Sequence, residues 1–174
     1  MLTEEQNRYV SDQVYLLDSS RADKDKRLIE NKILSFEDKK PYLGSFQVLK
    51  VEDNQENGMQ AMAVAPIGAD GQPDYSQITI TYAGTNFSDP NDTGTDLQML
   101  GYGNTKELNR YEGENATRKV ESQAVSALRF AEEVRKQFRN SQITTTGHSL
   151  GEALAIYVAL KNGWDNMGSH GPDI

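Results

Sequence analysis

Gln142–Leu160 reads QITTTGHSLGEALAIYVAL, and its two halves call for different backbones. Gln142–Thr146 is β-branched and short, as a buried strand is. Ala153–Leu160 is an apolar run rich in Ala and Leu, which favours a helix. Only Gly147–Gly151 separates them. A chain that reverses from strand to helix in five residues must be small two positions before and two after the apex. The spacing Gly147-His148-Ser149-Leu150-Gly151 (G-x-S-x-G) meets that demand. Such a turn lifts the central Ser hydroxyl above the carboxyl end of a sheet. It also places that hydroxyl at a helix N-terminus, where free N–H groups and the helix dipole favour a developing negative charge. Ser149 is therefore the candidate nucleophile, with Gly147 and Gly151 as the elbow. The plain alternative is a Gly-rich turn whose Ser only caps the helix.

Working outward, Asn115–Arg139 carries apolar residues three or four apart, at Val120, Ala124, Ala127, Leu128, Ala131, Val134 and Phe138, and is predicted as a helix. Before it, Asn86–Gly113 is rich in Asp, Asn and Gly and reads as a long loop. Gln77–Tyr82 (QITITY) is a strand that stops at Ala83-Gly84-Thr85. Phe46–Val51 and Met59–Val64 are strands around the turn-prone Asp53–Gly58. Thr3–Leu17 opens with a Thr3/Gln6 capping box and is predicted helical. Ser19–Lys40 is dense in charge and reads as a second, solvated helix and a loop. After Leu160 the tail GWDNMGSHGPDI shows no pattern. The order strand, loop, helix, strand, helix in the second half predicts an α/β layered fold with parallel strands. At 174 residues, one domain is expected over 1–174, with a helical N-terminal segment of about 1–40.

Composition narrows the chemistry. There are 18 Lys and Arg against 26 Asp and Glu, a formal net charge of −8. That balance disfavours a phosphate-gripping, nucleic-acid-binding surface. No cysteine is present, so disulfides, thiolate metal sites and a Cys nucleophile are excluded. His148 and His170 are the only histidines, too few for a His-rich metal site. Asp89–Asp96 (DPNDTGTD) holds half of a calcium-loop pattern, but Thr93 and Leu100 occupy two ligand positions, and a solvated acidic turn fits better. No cofactor and no metal are expected. The N-terminus is polar and unlike an ordinary signal peptide, which points to a cytoplasmic protein or one exported without such a peptide. The longest apolar run is far short of a membrane span. Asn86, Asn91 and Asn115 each begin an N-x-S/T sequon.

With these residues in hand, the chain resembles the class 3 (fungal-type) lipases of the α/β-hydrolase superfamily. The resemblance rests on ITTTGHSLGEALAIYVAL and on ITITYAGTN, similar to a family strand ending in R-G-T or a related triplet. It covers roughly Thr3–Leu160. It implies an α/β-hydrolase-like layered fold and hydrolysis of carboxylic esters, of acylglycerol or phospholipid, through an acyl-Ser149 intermediate. It further implies an oxyanion hole from the Leu150 N–H and from Thr85, and a structural role for Asp96-Leu97. Leu97–Tyr102 falls where the family carries a lid, which suggests contact with a lipid interface. Glu152 stands where the family has a second Gly, and its carboxylate disfavours anionic substrates.

A Ser nucleophile needs a base oriented by a carboxylate. Asp165, His170 and Asp173 follow Ser149 in a suitable order. A helix from Leu150 to about Asn162 carries the chain ~18 Å from the elbow at ~1.5 Å per residue. That distance argues against Asp165 and leaves His170 a weak candidate base. His148 points away from its neighbour in an elbow and is expected to pack. The family continues with further strand–helix units that supply Asp and His, so this chain is expected to be the N-terminal portion of such a domain, incomplete at the C-terminus. Two other readings stand beside the ester hydrolase. G-H-S-L-G-E also occurs in acyl-carrier-protein transacylases, which would make the chain an acyltransferase, although their Gln-rich oxyanion motif is absent. A catalytically incomplete interaction module would need no base at all.

Overall fold

The computed structural model describes residues 2–14, 29–36, 38, 40–83, 107–113, 116–148 and 150–168. Its core is a six-stranded mixed sheet between helical layers, the α/β class expected from the sequence. The strands are β1 (Ile33–Ser35), β2 (Ser45–Asp53), β3 (Gln60–Pro66), β4 (Gln77–Tyr82), β7 (Gln142–Gly147) and β8 (Asp165–Asn166), in that spatial order. β1 to β4 pair antiparallel, whereas β4, β7 and β8 run parallel. β5 (Glu107–Gly113) and β6 (Ala116–Glu121) form a separate antiparallel ribbon.

Strand alternation divides the core into two faces. Ile78, Ile80 and Tyr82 of β4 and Ile143 of β7 pack with Ala127, Phe130, Ala131 and Val134 of helix α2 (Gln123–Gln137). Leu154, Ala155 and Val158 of helix α3 (Leu150–Asn162) close the same cluster. On the other face, Phe46, Val48, Met62 and Val64 meet Val10 and Val14, at the inner side of helix α1 (Glu4–Gln13), with Phe36 and Leu43 beside them. A bulge between Val48 and Lys50 turns Leu49 to the α2 side.

Each helix end has a local cause. The Thr3 hydroxyl accepts from Gln6 N at 3.1 Å, and Gln6 Oε1 accepts from Thr3 N at 2.9 Å, which completes the predicted capping box of α1. Ser122 caps α2 by accepting from Val125 N at 3.3 Å. α3 stops at Gly163, whose φ of 69° suits glycine, while Trp164 N donates back to Ala159 O at 3.0 Å. This reversal turns the chain directly into β8.

The structure corrects four expectations. Residues 116–121 are strand, not the start of a helix, and 107–113 are strand, not loop. The two pair with each other, and the Ser122 cap starts α2 only at Gln123. Ile33–Ser35, placed in a charged helix by sequence, is an edge strand paired to Ser45–Gln47. The tail without pattern contains β8, held by Thr144↔Asp165 and Thr145↔Asn166. Residues 15–28, which hold the end of the first predicted helix and the first part of the second, lie outside the described residues.

One polar group sits badly in this core. Asn7 of α1 is 1% exposed, and neither its Oδ1 nor its Nδ2 has a partner among the described residues. An unmatched buried amide costs roughly 1–3 kcal/mol. Asn7→Leu removes that cost, fills a similar volume and favours helix, so it is expected to stabilise the protein by about 1–2 kcal/mol. Thermal or urea unfolding of the two proteins checks this, and an unchanged or lower midpoint would show that the amide is satisfied in solution.

Candidate active site

The turn after β7 is as abrupt as the sequence demands. β7 ends at Gly147 and α3 begins at Leu150. Gly151 N donates to His148 O at 3.1 Å and closes the turn. Ser149 itself lies outside the described residues, as do Thr85 and His170. The surrounding backbone fixes where the turn stands. A Cβ built on Gly147 would lie 2.6 Å from Glu152 N and nearer still to Gly151 C and O. A Cβ on Gly151 would lie 2.6 Å from Ala83 C, 2.7 Å from Ala83 O and nearer still to Tyr82 O. The two glycines thus have separate duties. Gly147 lets the turn fold onto the first turn of α3. Gly151 lets α3 pass against the end of β4.

This second contact brings together the two sequence motifs. Tyr82 and Gly147 are register partners, so the last paired residue of β4 adjoins the last residue of β7. Ala83, the first residue of Ala83-Gly84-Thr85, is 7% exposed and lies at the N-terminus of α3. Sequence reasoning assigned Gly151 to the elbow alone. Its contact with β4 was readable only with the strand pairing known.

Tyr82 anchors this strand end from the opposite side. Its hydroxyl donates to Ala127 O at 2.8 Å, and its ring meets Phe130 edge-on with centroids 6.5 Å apart. Burial pushes its hydroxyl well above the ordinary tyrosine range, with the Glu52 charge adding to it, so it stays a neutral donor. Glu52, Ala61, Tyr82 and Gly147 form one row across four strands. Glu52 Oε2 is buried and has no hydrogen-bond partner among the described residues. Desolvation raises its pKa, opposed by Arg129 and Lys50 and helped by Glu133 and Glu121. Those cations are engaged elsewhere, Arg129 with Glu121 at 2.6 Å and Lys50 with Glu133 at 3.0 Å.

The remaining sequence candidates separate clearly. His148 is half-buried. Asp165 is exposed and level with Thr144, three positions before Gly147 along β7, which is about 10 Å at ~3.3 Å per residue. It stands well below the turn, as its place in the chain implied. Asp89–Asp96 and Leu97–Tyr102 lie outside the described residues. Among the described residues no group of three or more His, Asp or Glu side chains is arranged to hold a metal ion. No described helix is long and apolar enough to cross a membrane.

The sequence matches no protein-family profile and no curated protein. Solved structures similar to the chain are fungal lipases. A fungal lipase–inhibitor complex is 21% identical over 67% of this chain and 41% of its own, with a TM-score of 0.39. The Rhizomucor miehei lipase–propeptide complex is 14% identical over 90% of this chain and 45% of its own, with a TM-score of 0.43. The Lip2 lipase of Yarrowia lipolytica is 14% identical over 95% of this chain and 57% of its own, with a TM-score of 0.44. The chain thus spans 41% to 57% of the length of these lipases.

Two predictions follow from the geometry. Gly151→Ala drives a methyl group into backbone that has no rotamer to yield, and overpacking of that kind costs typically ~1–3 kcal/mol or more. A drop in the unfolding midpoint is expected, while Gly163→Asn, at a position where a Cβ meets nothing within 4 Å, should lose much less. Glu52 has a folded-state pKa above its unfolded value. Its contribution is complete below the unfolded value of about 4.3 and is lost as pH rises through the raised one. Glu52→Gln should therefore melt higher than wild type at pH 7.5, with the gap closing by pH 4. A gap that stays constant with pH would assign the effect to packing.

Proposed function

We propose that the chain is the nucleophile-bearing part of a lipase- or esterase-like serine hydrolase, acting on carboxylic esters such as acylglycerols or phospholipids. The observation that carries this reading is the meeting of the G-x-S-x-G turn with the end of β4, through the close approach of Gly151 to Tyr82 and Ala83. In this reading Ser149 attacks the ester carbonyl. The oxyanion is received by the Leu150 N–H at the start of α3 and by Thr85, two residues after Ala83. Collapse of the tetrahedral intermediate expels the alcohol and leaves an acyl-Ser149, which water then hydrolyses. Glu152, in the first turn of α3, favours neutral substrates over anionic ones. The mechanism calls on no cofactor.

The base is the step to which the chain contributes least. β8 returns parallel to β7, and Met167 N donates to Thr145 O at 2.8 Å, so the chain is already heading toward the turn three residues before His170. We retain His170 as a weak candidate base. A nucleophile without its base keeps roughly 10³–10⁴-fold of catalysis over water, against about a millionfold more for an intact triad in the serine-protease precedent.

The expected outcome is covalent labelling of Ser149 by a fluorophosphonate, feeble hydrolysis of p-nitrophenyl butyrate, and loss of both in Ser149→Ala. Labelling that survives Ser149→Ala would reduce the turn to a structural one, whereas no labelling of wild type would favour an interaction module. Full turnover that vanishes in His170→Ala would make His170 the base. Acyl transfer that depends on an acyl-carrier protein would favour the transacylase reading.

A further inference from the structure

The α1 face of β4 and β7 is lined with threonine rather than with aliphatic side chains. Thr79 and Thr144 are register partners, as are Thr81 and Thr146, and all four are buried. Thr79 and Thr144 share one hydrogen bond at 3.2 Å. The upper pair does not. Thr81 Oγ1 donates to Ser11 Oγ of α1 at 3.5 Å, and Ser11 Oγ lies 3.3 Å from Thr146 Oγ1. Thr146 Oγ1 in turn donates to Met167 O at 2.6 Å.

A hydroxyl has one proton to give. Thr146 has given its proton to Met167 O, so toward Ser11 it can only accept. Ser11 must then donate to Thr146, and its remaining lone pairs accept from Thr81. The direction is fixed throughout: Thr81 to Ser11, Ser11 to Thr146, Thr146 to the Met167 carbonyl. Four segments far apart in sequence, namely β4, α1, β7 and the residue after β8, are thereby joined by one oriented chain of hydrogen bonds. Ser11 and Thr146 are fully buried, where such chains are electrostatically strong and a missing member leaves its neighbours unmatched. The chain also lies directly beneath the candidate site. Thr146 precedes Gly147, and Thr81 stands two residues before Ala83.

We propose that Ser11 is a positioning residue for the site. Through this chain, α1 sets the relative height of the ends of β4 and β7, and with them the approach of Ala83 to Gly151 at the turn. The catalytic half of this proposal rests on the reading of Ser149 as nucleophile. The structural half does not. Tyr82 and Phe130 grip β4 from the α2 side, and Ser11 grips it from the other, so the strand end is held on both faces.

The test uses the full chain and three variants. Ser11→Ala removes the central hydroxyl. Ser11→Cys keeps a weaker donor of nearly the same size. Val10→Ala weakens α1 packing without touching the hydroxyls, and serves as a comparison of similar destabilisation. Amide hydrogen exchange is read over 80–83, 146–148 and 150–152, together with the rate of fluorophosphonate labelling. Ser11→Ala is expected to speed exchange in those segments at least tenfold and to slow labelling at least tenfold, at a temperature where all variants are folded. Ser11→Cys should fall between it and wild type, and Val10→Ala should change exchange within α1 only. Should Ser11→Ala fail to fold, Ser11→Cys and Thr81→Val carry the same comparison. Exchange that rises equally in Val10→Ala, or only within residues 2–14, would overturn the proposal. Wild type that never labels, with the exchange pattern as expected, would instead overturn the nucleophile reading and leave the positioning by Ser11 intact.

Discussion

The backbone of α3 passes the end of β4 at a distance that admits no side chain, because a Cβ on Gly151 would fall on the carbonyls of Tyr82 and Ala83. Much else is arranged around that approach. The helix can come so near only if it starts immediately after β7, which leaves two residues for the turn. It can start there only if Gly147 also lacks a Cβ, since the turn folds back over Gly151 and Glu152. β4 must then be the direct parallel neighbour of β7, in a register that puts Tyr82 beside Gly147. A parallel neighbour requires a crossover, and the ribbon β5–β6 followed by α2 supplies it.

The crossover helix is fastened by polar contacts at its start and by apolar ones along its length. Asn57 Nδ2 donates to Ser126 Oγ at 2.7 Å and to Glu121 O at 2.9 Å. Gln123 Nε2 donates to Asn57 O at 2.8 Å. The β2–β3 turn thereby fixes where α2 begins, and Ala127, Phe130, Ala131 and Val134 then bury themselves against the sheet. Burying one such large side chain is worth about 1.5–3 kcal/mol. The Tyr82 hydroxyl finds its acceptor in the backbone of that same helix, at Ala127 O. The strand that ends at the candidate site is thus located by a helix whose own position is set by the β2–β3 turn, at the same end of the sheet.

The elements at the site were legible in the sequence because they follow local rules. The β-branched run Gln142–Thr146, the small residues at Gly147 and Gly151 and the apolar run to Leu160 are each explained by neighbours one to four positions away. The Leu150–Asn162 span was readable for the same reason. What escaped was set by distant partners. Ala116–Glu121 carries apolar residues at a spacing that extends the α2 pattern, and only its pairing with Glu107–Gly113 makes it a strand. Asp165-Asn166 is too polar to announce a strand, yet it forms one because Gly163 turns the chain and β7 offers an unpaired edge. Thr79, Thr81, Thr144 and Thr146 did carry a signal, a hydroxyl at every second residue of two strands. Its meaning depended on which helix covered that face.

β7 shows why threonine suits that place. Its side chains alternate between two helical layers, and its hydroxyls find hydrogen-bond partners on both sides. Thr145 Oγ1 lies 2.8 Å from Ala155 O of α3 and 2.9 Å from Asn166 Oδ1, whereas Thr144 and Thr146 face Thr79 and Ser11. Valine has the same shape and β preference, and would bury comparably without needing partners. Aliphatic contacts are tolerant of sliding, since apolar surface is buried whether or not a strand shifts by a fraction of a residue. Hydroxyl contacts are not tolerant, because a buried hydroxyl left without its acceptor loses roughly 1–3 kcal/mol. A strand that carries a two-residue turn to a helix, and must meet β4 at van der Waals distance through Gly151, has little room to slide. Threonine on both faces of β7 makes height along the strand, and not burial alone, a determinant of stability.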